Sequence, residues 1–102
     1  MTNLELVRLL ITDTEAAPNQ VFTDTQINGF LTLEGDDVKL AAARALNTMA
    51  VNEALVLKRI TLLDLTTDGP AVAAALRAQA KELKDEAALA GDEEAFDMTP
   101  LG

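Results

Sequence analysis

Residues 36–60 read DDVKLAAARALNTMAVNEALVLKRI. No glycine or proline interrupts the stretch, and Ala, Leu, Met, Lys, Arg and Glu, the stronger helix formers, dominate it. It reads as one helix of about 24 residues, roughly 36 Å long. Asp36 and Asp37 stand at its positive end and Lys58 and Arg59 at its negative end, as the helix dipole favours. Val38, Ala42, Ala45, Met49 and Val56 share a stripe, with Leu46 and Ile60 beside it. On the other side Ala41, Leu55 and Leu57 add apolar surface. One partner helix cannot cover all of that perimeter, so subunit contact through Ala41, Leu55 and Leu57 is expected.

The flanking segments keep the helical period. Towards the N-terminus, NLELVRLLI (3–11) predicts a short helix capped by Asn3, with Leu6, Leu9 and Leu10 inward. A loop with Pro18 and Asn19 follows. Thr23 and Gln26 have capping-box spacing, and Ile27, Phe30 and Leu31 continue that second helix to Gly35, which suits a left-handed closing position.

Beyond the long helix, TLLDLTTDGP (61–70) is a break, with Pro70 fitting the first helical position of the next element. The last helix then runs from Pro70 to Ala90, buries Val72, Leu76, Leu83 and Ala87, and stops at Gly91. Residues 92–102, DEEAFDMTPLG, carry four acids and no base. Alone they would be disordered, and they are expected to order against a neighbouring chain with Phe96, Met98 and Leu101 as pegs. The expected architecture is all-α: two short helices, one long Ala-rich helix and a final helix forming a small bundle over 1–90, with an extended acidic tail over 91–102.

Composition narrows the function. The 102 residues include no Cys, His, Ser, Tyr or Trp, which removes the Ser, Cys and His nucleophiles, the imidazole base and the usual zinc ligands. The expectation is no enzyme and no cofactor; a carboxylate-only enzyme would have to use Asp36, Asp37, Asp64 or Asp68. A net charge of −9 disfavours gripping nucleic acid and says nothing more specific, unless DNA must pass close by without sticking, where like charge would help. Neither a signal peptide nor an apolar run of about 20 residues is seen, so a soluble chain with no membrane contact is expected.

The segment DLTTDGPAVAA (64–74) places Asp64, Thr66 and Asp68 on alternate positions before Gly69, like the start of a calcium loop. The twelfth position, which needs a bidentate carboxylate, is Ala75, and the seventh is Pro70. The segment therefore reads as a helix start, with Thr67 or Asp68 as cap. GDD (35–37) reads the same way, as a Gly C-cap followed by an Asp N-cap.

Taken together, FTDTQINGFLTLEGDDVKLAAARALNTMAVNEALVLKRI and DLTTDGPAVAAALRAQAKELKDEA resemble the head-to-tail connector proteins of tailed double-stranded-DNA phages, also called head-completion or adaptor proteins. The likeness covers roughly residues 4–90 and lies in the order of its parts. A Phe-Thr-Asp helix start, a Gly-Asp-Asp break, an Ala-rich helix ending in basic residues, a Thr-Asp-Gly turn and a final Leu-Arg-Ala helix succeed one another. The resemblance implies a structural virion protein of the phage neck, assembled in the bacterial host cytoplasm as a ring, dodecameric by analogy. The ring would lie beneath the portal and above a stopper or tail-completion protein, and DNA would pass through without specific binding. No catalytic residue transfers. The alternative is a small acidic helical module that captures a basic protein partner.

Overall fold

The computed structural model describes the backbone of residues 1–15, 19–63 and 68–98, with side chains through Ala90. Its elements are α1 (Asn3–Ile11), α2 (Asp24–Leu33), α3 (Val38–Ala50), α4 (Glu53–Leu62) and α5 (Gly69–Met98). No strand occurs among the described residues. The fold is all-α, as expected.

α3 is the hub. It packs against all four other helices, most extensively against α5, whereas the backbone of α4 packs only on α3 and α5 and reaches α1 through the Arg59 side chain. Ala41, Ala42, Ala43, Ala45, Leu46 and Met49 are fully buried. Three successive buried residues, each turned about 100° from the last, cannot face one partner; α3 is covered on several sides by its own chain and leaves Lys39 and Arg44 to solvent. Small side chains permit that close approach. Here the structure corrects the expected interface, because Ala41 lies inside the protomer's own core and offers a neighbour nothing.

The expected 36–60 helix is in fact two. Val51 closes α3, and Asn52 leaves the helical region (φ −114°, ψ 106°), its side chain accepting the Leu55 N–H at 3.3 Å. Asn offers the backbone a local partner that competes with helical continuation, and an N-cap is where that helps most. α4 is thereby free to turn Val56 and Arg59 inward.

α1 is also rotated from expectation. Thr2 caps it, in a reciprocal box with Glu5, and its inner face is Val7, Arg8 and Ile11 with Leu4 and Leu10 beside them; Leu9 is exposed. A buried arginine on that face hides the true phase of the stripe. The Thr2 amide, then its hydroxyl, hold the Glu5 carboxyl below its ordinary value. The carboxylate half of the box therefore contributes fully above the usual carboxylate range and is lost as pH falls through the lowered Glu5 value, while the Thr2 hydroxyl still accepts the Glu5 N–H.

α2 has the expected Thr23–Gln26 box. Its end is a Schellman motif: the Asp36 N–H bonds the Leu31 carbonyl at 2.8 Å, with Gly35 (φ 62°) and Asp36 (φ 63°) both left-handed. Asp36 thus stands outside α3, and Asp37 is the cap. Within α2, Gly29 is exposed, and a Cβ there would meet nothing within 4 Å. Gly29→Ala should raise stability by about 0.5–1 kcal/mol, or roughly 2–6 °C in Tm, read by thermal circular dichroism.

α5 runs antiparallel to α3. Lys39, near the start of α3, pairs with Glu86 at 3.6 Å, while Ala50 at its end shares a groove with Pro70 and Ala73. The helix passes through Gly91, where a stop was expected, and its 30 residues span about 45 Å. Glycine inside a helix costs only about 1 kcal/mol, which the flanking Ala, Leu and Glu residues offset. The first part of the expected tail is therefore helical in backbone, to Met98.

Candidate functional site

The densest polar cluster joins α1 to the loop before α2. Arg8, 7% exposed, donates from Nη1 to Asp13 Oδ2 at 3.1 Å and to the Asp13 carbonyl at 3.2 Å. Its Nη2 donates to Asp24 Oδ1 at 2.7 Å and to the Phe22 carbonyl at 2.9 Å. Asp13 also accepts the backbone N–H groups of Val21 and Phe22, at 2.8 and 3.0 Å. On the far side, Arg59 of α4 donates to the Ile11 carbonyl at 2.8 Å, and Gln79 of α5 to the Leu10 carbonyl at 2.9 Å. Those carbonyls are orphans of the α1 C-terminus, which is capped by side chains from two other helices. Burial pushes the Arg59 guanidinium below its ordinary value, and the Asp13 charge opposes the shift.

This cluster is built to hold, and it leaves no reactive face. Asp13 is 4% exposed with its oxygens already engaged. The cleft beside it, of about 50 Å³, is far below the roughly 300 Å³ at which small-molecule sites begin. None of its members was singled out as a site from sequence. The Arg in an otherwise apolar α1 stripe was the available signal.

The expected carboxylates are not gathered into a centre. Asp37 Oδ1 accepts the Leu40 N–H at 3.0 Å and Asp68 Oδ1 the Ala71 N–H at 2.7 Å, each capping its own helix. Asp36 is exposed, and Asp64 and Thr66 lie outside the described residues. Among the described residues no three acids stand close enough to hold a metal ion. Asp68→Ala should cost around 1 kcal/mol, read by chemical denaturation, with no calcium-dependent change in Tm before or after substitution.

The surface that invites a partner is an apolar corner where α3 ends and α4 meets the start of α5. A groove of about 480 Å³ opens there, walled by Val51, Glu53, Leu57, Pro70, Ala73 and Arg77. Val51 is 76% and Leu57 54% exposed, although both are aliphatic. The α3–α4 break creates this corner: Val51 caps one helix and faces outward because the next begins at once. On the other side of α4 a second groove, of about 370 Å³, runs between Leu63, Ala75 and Leu76. α4 thus covers the first half of α5 incompletely.

Of the residues expected at an interface, Leu57 lies on the groove and Leu55 is half-buried against the core. Phe96 and Met98 fall on the final turns of α5, where only the backbone is described, and Leu101 lies outside the described residues. Val51, Pro70 and Arg77 join the surface unforeseen; continuity of the 36–60 helix would have scattered them. Among the described residues no helix is long and apolar enough to cross a membrane. Compared with known protein families, curated proteins and solved structures, the chain has no match.

Proposed function

We propose that this chain is a structural subunit of the head-to-tail connector of a tailed phage: a ring below the portal that lengthens the DNA channel and joins capsid to tail. The apolar corner at Val51 and Leu57 carries the reading, since a single copy leaves it in water and a neighbouring subunit would cover it. The order of helix-start, break and Ala-rich segments across the chain supports the same reading, and so does the helical fold those segments build. A net charge of −9 suits a wall that DNA passes without adhering. Asp13 ties a loop, and Asp37 and Asp68 cap helices.

The direct test mixes the purified chain with portal rings of its own phage and images the product by negative-stain microscopy. An added layer of density on one face of the portal is expected. Portal rings unchanged in outline and mass, at chain concentrations well above that of the portal, would contradict the proposal. A one-to-one complex with a basic protein, and no ring, would instead favour an acidic capture module.

A further inference from the structure

The geometry points to the Val51–Leu57–Arg77 groove as the seat for the acidic segment 92–101, which begins in the last turns of α5, of a second copy of this chain. The inference rests on the ring reading above and adds which two surfaces meet.

Reach excludes the chain's own end. The groove lies at the start of α5, around Pro70, Ala73 and Arg77, whereas the acidic segment lies at its finish. From Arg77 to Met98 the helix climbs about 31 Å. The four residues after Met98, even fully extended, return at most about 14 Å. While α5 is helical the segment cannot fold back, so an occupant with this sequence comes from another copy.

Charge and apolar content then match. Residues 92–97 carry Asp92, Glu93, Glu94 and Asp97 with no base, and Phe96, Met98 and Leu101 supply apolar groups. The groove presents Val51 and Leu57, with Arg77 on its wall and Lys58 beside Leu57 on α4. Of the other exposed cations, Lys39, Arg44 and Lys81 already pair with Glu86, Glu34 and Asp85, and Lys84 lines a different cleft, beside Glu34 and Arg44. Among the described residues, Arg77 and Lys58 form no ion pair. Glu53, on the same groove, is a like charge for the incoming segment, held at the α4 N-terminus where the helix dipole favours it.

The arrangement fixes the kind of assembly. Groove and segment are different surfaces at opposite ends of one helix, so the contact is heterologous, and repeated copies either close into a ring or continue as an open spiral. One groove is smaller than the roughly 800 Å² per partner of a standard interface; closure, which makes each chain both donor and acceptor, compensates.

The chain has no cysteine, which makes the test clean. One full-length variant carries Leu57→Cys, and three others carry Phe96→Cys, Met98→Cys or Leu101→Cys. Mixed pairwise and oxidised, at least one pair should give a disulfide-linked dimer of unlike chains; both cysteines in one chain should give intermolecular ladders. Arg77→Glu should weaken self-association at least tenfold at unchanged helical circular dichroism, and Glu93→Lys with Glu94→Lys should restore it in that background. A chain that oligomerises with no such cross-link and with no response to Arg77→Glu overturns this docking and leaves the ring standing. An intramolecular disulfide overturns it too. A chain that stays monomeric at every concentration overturns both.

Discussion

Arg8→Ala is expected to lower the unfolding free energy by about 3–5 kcal/mol, because it removes the buried Asp13 carboxylate's ion-pair partner. The loss does not stop at one ion pair. Arg8 also ties the Phe22 carbonyl and Asp24 to α1, so the loop entering α2 loses its anchor on the core. Chemical denaturation with both fluorescence-free and helical readouts would measure it; a cost under about 1 kcal/mol would mean that the cluster is as dispensable as a surface pair. The double variant Arg8→Met with Asp13→Leu should recover part of the loss, since neither charge is then stranded. Recovery stays incomplete because the Val21 and Phe22 N–H groups lose their acceptor.

The second large effect is packing. Leu46→Ala should cost about 2–5 kcal/mol, towards the upper end of that range. Leu46 is fully buried on the helix that packs against all the others, and its buried neighbours along α3 are alanines, with Met49 the one longer side chain beside the void. Against a total stability on the order of 5–15 kcal/mol, either substitution brings the chain near its folding threshold. The reverse change, Ala42→Leu, should also destabilise, by about 1–3 kcal/mol, because Ala42 is fully buried and has no open space for the added volume. Equal tolerance at Leu46 and at exposed Leu57 would show that α3 is not the hub.

Local chemistry made much of the fold legible. The Thr23–Gln26 box, the left-handed Gly35, and the Asp37 and Asp68 caps all follow from residue types whose short side chains or missing Cβ satisfy backbone groups. What stayed hidden depended on the rest of the chain. Asn52 sits in a run of good helix formers, and its capping role shows only once α4 has Ile11 to reach through Arg59. Arg8 reads as the solvent side of α1 until its partners, up to 16 positions away, are in place. Ala41 reads as surplus apolar surface until α3 is covered on several sides by its own chain. The surface at Val51, Leu57 and Arg77 was half visible: Leu57 stands out as an aliphatic with no partner, but the corner exists only because the helix breaks beside it.

Self-association is the claim on which the connector reading stands, and native mass spectrometry of the full-length chain tests it most directly. Across a concentration series, the account predicts closed assemblies of a single stoichiometry that grow at the expense of monomer. A single species of 10.8 kDa at every concentration, alone and with the portal present, would contradict it.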